Sequence, residues 1–407
     1  MKFIWSLLLL AFCLNANAQK QDIKAIKEAV EFLAADELKG RETGTEGEDK
    51  AAKYIAKKFK EMGLKPMGTE GYFQDFSVTP KANPHSENPD TTQEPINGKN
   101  VVAFLDHGAE LTVVLGAHYD HLGMGAEGSL YAGKEQQIHN GADDNASGVA
   151  LVLALADELS DKKYKQFNYL FIAFSGEEKG LWGSNYYSKN PTIDLEKVNY
   201  MINFDMVGRL DKDKGLAING VGTASNWMEN IEEANTEKLK LITSESGVGP
   251  SDHTSFYLVN IPVLHFFTGQ HSDYHKPSDD ADKVNFEGIA ILENMVLALI
   301  EATEEDGKLI HQETKADKKD TPRFTVTLGV MPDYMFQGDG MRLDGVTDGR
   351  PASNAGFEAG DIVIQMGEHK VDGMQTYMKA LSNFKKGDKA MVKAKRGEEI
   401  VEYEVTF

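Results

Sequence analysis

Between Gly141 and Gly148 the chain reads Gly-Ala-Asp-Asp-Asn-Ala-Ser-Gly, and an apolar run from Val149 to Leu159 follows directly. Locally this is a tight turn feeding a helix, because Asp and Asn side chains bond nearby backbone N–H groups. That reading leaves the two adjacent carboxylates unexplained, since they repel each other unless a cation sits close by. His118 and Asp120 lie shortly before the turn; Glu177, Glu178, Asp205 and His275 lie after it. Imidazole and carboxylate together are the donor set of a divalent cation such as zinc. The pattern implies a two-metal hydrolytic centre built around Asp144.

The strand and helix pattern says how such residues can meet. Asn100 to Leu105 and Leu111 to Gly116 are short apolar runs joined by a turn at His107-Gly108, and Phe167 to Phe174, Val198 to Phe204 and Ile261 to Phe267 are similar. Phe73 to Val78 is strand-like as well. Val149 to Leu159, Asn226 to Leu239 and Phe286 to Ala302 read as helices, as do Asp22 to Ala35 and the stretch from Thr45 to about Met62. Thr45 with Glu48 three residues on has the form of a capping box. Strands alternating with helices predict an α/β domain, with a mostly parallel sheet covered by helices on both faces. Ligands of such sheets bind beyond the carboxyl ends of the strands. His118 follows one strand, Glu177-Glu178 a second, Asp205 a third, and His275 lies in a loop after a fourth.

The rest of the chain sets boundaries. Met1-Lys2, an apolar core from Ile4 to Leu14 and Ala16-Asn17-Ala18 have the form of a secretion signal cleaved before Gln19. The lone Cys13 lies inside that segment behind Phe12, which is not the small residue a lipoprotein signal needs. The mature chain would then contain no cysteine and no disulfide. A formal net charge of −21 disfavours nucleic acid and anionic membrane surfaces as partners. Pro80 to Gly98 is a polar loop. Thr303 to Thr321 is charged and reads as a linker. Behind it come short strands (Phe324 to Val330, Met341 to Val346, Asp361 to Met366, Ala390 to Ala394, Glu399 to Thr406) and one helical piece, Met374 to Leu381. His369 stands alone there and reads as a surface residue.

A pair of cations needs one carboxylate able to reach both, further ligands on each side, and a base for the attacking water. Asp144 suits the bridge. Glu177 and Glu178 point apart, so one can bind metal while the other faces the water. Asp120 projects the same way as His118 on extended backbone and can accept the second N–H of that imidazole. Each residue alone has a plain alternative: a structural histidine at a strand end, a solvated Glu pair opening a helix, an Asp cap. Their joint spacing favours the metal site. Ser175 and Ser184 lack the Gly-x-Ser-x-Gly surroundings of a nucleophile and read as structural.

With Ala117-His118-Tyr119-Asp120-His121, the acidic turn, Phe174-Ser175-Gly176-Glu177-Glu178, Asn203-Phe204-Asp205-Met206 and Tyr274-His275-Lys276-Pro277-Ser278-Asp279, the chain resembles the M28 family of zinc peptidases over about Asp22 to Ala302. The resemblance implies the zinc-exopeptidase fold and two zinc ions bridged by Asp144. His118 and Asp205 would complete one ion, and Glu178 and His275 the other. It implies Glu177 as general base, Asp120 as the partner of His118, and Tyr274 as a group steadying the tetrahedral intermediate. It also implies a non-trans Asp144-Asn145 peptide. Ser251-Asp252-His253 is family-like too; Asp252 and His253 are expected to shape the pocket rather than to bind metal. His121, His139 and His271 lie nearby, but the ligand count is met without them.

The tail resembles a PDZ domain, a small β-rich fold. Thr327-Leu328-Gly329-Val330 is similar to its carboxylate-binding loop, and Arg350 to Gly356 with Ala359 to Val363 carries the strongest likeness. It implies a groove for a peptide C-terminus, unless the groove is closed and the domain purely structural. The division that follows is signal 1–18, peptidase-like domain 19–303, charged linker 304–321 and PDZ-like domain 322–407. The expected activity is that of an exported aminopeptidase, periplasmic or extracellular, acting on peptides with a free N-terminus and not inserted in a membrane once the signal is removed. The alternatives are a carboxypeptidase, dipeptidase or other amide-processing enzyme of the same clan, and a catalytically idle peptide-binding protein.

Overall fold

The computed structural model describes residues 23–80, 94–125, 128–133, 135–314, 326–333, 336, 338–347 and 349–407. The signal-like segment with Cys13, most of the polar loop after Pro80 and the second half of the expected linker lie outside the described residues. Among the described residues no helix is long and apolar enough to cross a membrane.

In the first unit the strands are β1 (Lys65–Pro66), β2 (Phe73–Val78), β3 (Ile96–Leu105), β4 (Thr112–His118), β5 (Asn168–Phe174), β6 (Val198–Phe204), β7 (Leu216–Asn219), β8 (Leu241–Ser244) and β9 (Val263–Phe267). The helices are α1 (residues 23–33), α2 (Glu46–Glu61), α3 (Gly148–Glu158), α4 (Trp182–Lys189), α5 (Trp227–Ala234), α6 (His253–Tyr257) and α7 (Phe286–Ala302). The sheet order is β1-β3-β5-β4-β6-β9-β7-β8, with β2 paired to β3. Its four central strands, β5, β4, β6 and β9, are mutually parallel. The outer pairs β3/β5 and β7/β9 are antiparallel, so the sheet is mixed with a parallel centre. The turn at His107-Gly108 makes no hairpin, because β5 separates β3 from β4.

Every residue of the four central strands is buried, as expected where both faces are covered. Side chains alternate between two cores. Tyr169, Phe171 and Ala173 of β5 pack with Phe59 of α2, Leu151 of α3 and Val296 of α7. Leu170, Ile172 and Phe174 face the other way, toward Tyr187 of α4 and Phe256 and Tyr257 of α6. The helices form for the expected reasons. In α1, Ile26, Ala29, Val30 and Leu33 make one buried stripe. At the start of α2 the Thr45 side chain accepts from Glu48 N at 3.4 Å, while Glu48 reaches back to Gly44 N at 2.6 Å, one residue before the position a capping box uses.

The structure adds to the expected elements in two places and corrects one helix end. β7 and β8 are not apparent as strands in the sequence; both have only four residues, and β8 is not fully buried. Helix α5 stops at Ala234 rather than Leu239. There Asn235 pairs both its amide groups with the Leu239 backbone at 2.8 Å, closing a turn in place of another helical one. The expected linker is partly structured. Leu309 N bonds Asn199 Oδ1 at 2.7 Å, Gln312 N bonds Thr223 O at 2.8 Å and Thr314 N bonds Tyr257 Oη at 2.9 Å, so residues to 314 are tied to the first unit.

The second unit has β10 (Val330–Pro332), β11 (Met341–Val346), β12 (Ile362–Met366), β13 (His369–Lys370), β14 (Lys389–Arg396) and β15 (Glu399–Thr406), with helices α8 (Pro351–Ala355) and α9 (Met374–Leu381). All its pairings are antiparallel. Leu328, Leu343, Val363, Met366, Val392 and Val405 form a core of its own. Arg396 grips the buried Asp361 carboxylate through Nε at 2.7 Å and Nη2 at 2.8 Å, a two-point pairing that fixes β14 against the start of β12.

Candidate metal centre

Because β5, β4, β6 and β9 are neighbours and parallel, their carboxyl ends open on one place. His118 closes β4, Glu177 and Glu178 follow β5, Asp205 follows β6, and His275 stands in the loop after β9. Asp144 enters from the turn before α3. That turn, residues 142–147, contains a cis Asp144-Asn145 peptide. It is held by side chains from elsewhere. Asp279 Oδ2 accepts from Asp143 N at 2.9 Å and from Asp144 N at 3.0 Å, and its backbone oxygen accepts from Ala142 N at 3.0 Å. Arg209 Nη2 donates to the other Asp279 oxygen at 3.0 Å. Asn145 Nδ2 donates to Phe204 O at 2.8 Å, and its Oδ1 accepts from Gly148 N and Met206 N at 3.0 and 3.1 Å. Gly141, at φ +57, is required here: a Cβ would lie 2.2 Å from Asp144 O and 2.6 Å from the His121 ring.

The site residues converge in two groups that share Asp144. His118 Nε2 is 3.3 Å from Asp144 Oδ1 and 3.3 Å from Asp205 Oδ1. His275 Nε2 is 3.2 Å from Asp144 Oδ2 and 3.3 Å from Glu178 Oε2. Each oxygen of Asp144 thus faces a different histidine. Both imidazoles are turned by their far nitrogen: His275 Nδ1 lies 2.9 Å from Gly128 O, and His118 Nδ1 lies 3.2 Å from Asp120 O. Asp120 does meet the His118 ring, but through its backbone carbonyl; its carboxylate is 3.7 Å away. That carboxylate accepts from Thr43 Oγ1 at 3.0 Å and from Glu177 N at 3.1 Å, so it steadies the backbone of Glu177. Tyr274 stacks on His275 with ring centroids 3.9 Å apart.

Electrostatics follow from this crowding. Burial alone would raise Asp144, yet His118 and His275 hold it well below the usual carboxylate range. Burial also opposes ionisation of Glu178, but His275 and His121 bring it down to about 2. Burial disfavours charged His118 and His275, yet the surrounding carboxylates lift both well above the usual imidazole value. Glu177 is only half-buried as a residue, but desolvation of its carboxyl pushes it well up, and Asp205, Asp252 and Glu178 add to the rise. The cluster thus draws positive charge onto His118 and His275.

The donors fit zinc in chemistry and spacing. Four ligands on arms of about 2.0–2.1 Å in a tetrahedron stand about 3.3–3.4 Å apart, close to the four separations around Asp144. His121, His118's neighbour three residues on, also enters: its Nδ1 is 2.8 Å from Glu178 Oε1 and 4.0 Å from Asp144 Oδ2. By position alone His121, Asp144 and Glu178 form a possible metal group, beside His118, Asp144 and Asp205. The spacing separates the two histidines, because 2.8 Å is a charge-assisted hydrogen bond and too short for two ligands of one tetrahedral ion.

Other residues complete the surroundings. Arg41 is 1% exposed and donates to Tyr119 O at 2.8 Å, Asn140 O at 2.6 Å, Gly141 O at 3.1 Å and Leu33 O. Burial pulls its guanidinium down to about 10, while Asp120, Asp144, Asp279 and Glu178 oppose the fall. Asp252 is fully buried and pushed up to about 7, first by desolvation. His253 stacks on His265 at 4.6 Å; neither forms part of the convergent set. His271 bonds Asp143 at 3.0 Å and His139 bonds Ser129 at 2.7 Å, and so both are occupied elsewhere. Ser175 donates to Glu48 and lies buried, a structural role. Arg41 and Arg209 carry no signal in the sequence, since Arg41 serves backbone oxygens and Arg209 serves the carboxylates of Asp279 and Asp273, and Asp279 stands there only as the end of the string from Tyr274.

Comparison with known proteins finds likeness in both sequence and fold. Residues 100–300 match Peptidase family M28, and residues 311–407 match the PDZ domain. The uncharacterized protein YfbL of Escherichia coli K12 is 27% identical over 246 residues, covering 52% of this chain and 74% of its own. Aminopeptidase YwaD of Bacillus subtilis 168 is 31% identical over 196 residues, covering 44% of this chain, which spans only 42% of that enzyme. In fold, a Zn-dependent exopeptidase from Parabacteroides distasonis superposes with a TM-score of 0.56 at 19% identity, over 68% of this chain and 97% of that one. A glutaminyl cyclase from Bacteroides thetaiotaomicron gives 0.55 at 17% identity, over 69% and 97%.

Proposed function

We propose that this chain, which carries a peptidase family M28 domain followed by a PDZ domain, is a two-zinc aminopeptidase exported from the cytoplasm. The observation that carries the proposal is Asp144, whose two oxygens face His118 and His275 at 3.3 and 3.2 Å with Asp205 and Glu178 closing each side. We assign His118, Asp144 and Asp205 to one zinc ion and His275, Asp144 and Glu178 to the other.

Zinc bound there supplies a Lewis acid for the peptide carbonyl and lowers the pKa of a neighbouring water. Glu177 takes the proton from the attacking water and returns it to the leaving amine. Its raised affinity for a proton suits that shuttle. Asp120 fixes the Glu177 backbone through the 3.1 Å bond to its N–H. Tyr274, stacked on His275, donates its hydroxyl to the developing oxyanion. Asp252 and His253 line the floor. The peptidase unit runs from residue 19 to about 314 and the PDZ unit from about 322 to 407, where it binds a peptide C-terminus by strand addition. Residues 1–18 form the cleaved signal.

The test is a zinc-loaded chain from Gln19 to Phe407 incubated with peptides bearing free or acetylated N-termini, with products read by mass spectrometry. Stepwise loss from free N-termini alone is the expected result. Cleavage from the carboxyl end or of blocked peptides would replace the aminopeptidase assignment with another exopeptidase. A zinc-loaded chain that cleaves nothing would leave a binding protein.

A further inference from the structure

His121 is the one histidine of the convergent cluster to which the metal assignment gives no role, and its surroundings specify one. Its side chain is fully buried. The ring rests against the bare Cα of Gly141, where any Cβ would stand 2.6 Å from ring atoms, and meets His275 edge-on at 5.8 Å between centroids. Its backbone N donates to Arg41 O at 3.2 Å. The ring therefore has one orientation. In it, Nδ1 lies 2.8 Å from Glu178 Oε1, while Nε2 is buried with no hydrogen-bond partner among the described residues. A carboxylate oxygen only accepts, so the proton sits on Nδ1.

We propose that His121 is a positioning residue for Glu178: its Nδ1–H occupies Oε1 and leaves Oε2 as the oxygen turned toward His275 and Asp144. The inference rests on the two-zinc reading and adds to it how the second ion is held. Glu178 without His121 has two equivalent oxygens and a free carboxylate rotation. With His121 it presents a single oxygen, 3.3 Å from His275 Nε2. The same hydrogen bond keeps His121 out of the ligand set, since its 2.8 Å contact is shorter than the spacing of the ligand pairs. Outer hydrogen bonds of this kind are worth roughly 10–100-fold in metal affinity.

Two variants separate this from its rival, that His121 is itself a ligand. His121→Asn carries an amide nitrogen where Nδ1 stood and keeps a donor in reach; His121→Phe fills the space and removes it. The measurements are zinc affinity by chelator competition and the number of imidazoles per zinc by X-ray absorption, on the mature chain. We expect wild type to hold two zinc ions with one imidazole each on average. His121→Phe should bind the ion assigned to Glu178 and His275 about 10–100-fold less tightly with the imidazole count unchanged, and His121→Asn should recover most of the affinity. An imidazole count above one per zinc in wild type that falls in His121→Phe, or an affinity unmoved in His121→Phe, would overturn the role. A wild-type chain that takes up no zinc would instead remove the two-zinc reading itself.

Discussion

Asp144 turns one oxygen to His118 and the other to His275, and Asp279, Arg209 and Asn145 hold the backbone that aims it. Glu177→Gln keeps the shape of the side chain but cannot accept a proton; turnover should fall by about 10²–10⁴ with zinc content unchanged, as read by kinetics and metal analysis side by side. Near-normal turnover would remove Glu177 as the base. Asp279→Ala leaves the N–H groups of Asp143 and Asp144 buried without acceptors and takes a carboxylate from Arg209. We expect a loss of about 3–5 kcal/mol in stability and about 10–100-fold in zinc affinity, measured by denaturant unfolding and chelator competition. The residues that converge at the strand ends were legible in the sequence because imidazole and carboxylate have few other reasons to recur there. His121 was not, because strict strand alternation from His118 points it away; the strand ends at His118, and the turn that follows brings it back.

Among the elements, the four parallel strands were legible as continuous apolar runs, and their shared polarity brings the His and carboxylate residues to one rim. The short strands β7 and β8 were not, since four residues carry too little pattern. The start of α2 makes its own prediction. Glu48 is 2% exposed, accepts from Gly44 N and Ser175 Oγ, and burial pushes it up to about 8 from 4.5. A raised carboxyl favours the folded state while protonated, so its contribution is whole below about pH 4.5 and is lost as pH climbs through about 8. Glu48→Gln mimics the protonated form. Its Tm should match wild type near pH 4.5 and exceed it increasingly toward pH 8.5, by the equivalent of roughly 2–4 kcal/mol. A difference that does not change with pH would show that Glu48 is ionised throughout.

For the whole molecule, the charged stretch after Thr303 suggests a change of unit in the sequence, and the structure ties part of that stretch to the first unit. Composition marks residues 304–321 as linker, while Leu309, 4% exposed, and the bonds to Asn199, Thr223 and Tyr257 tie residues 309–314 to the first unit. A chain ended after residue 314 should therefore melt with the full chain's first unit, and one ended after residue 303 several degrees lower, since burial of one leucine alone is worth about 2 kcal/mol. Equal melting of the two would put the boundary back at 303. In the proposed function Asp144 gathers two zinc ions for peptide hydrolysis. The most direct measurement is a zinc titration of the metal-free chain, following bound zinc and release of N-terminal amino acids together, with Asp144→Asn alongside. Activity should reach its plateau at two equivalents in wild type, with neither tight zinc nor activity in Asp144→Asn. Full peptidase activity without zinc, or zinc held equally well by Asp144→Asn, would contradict the proposed function.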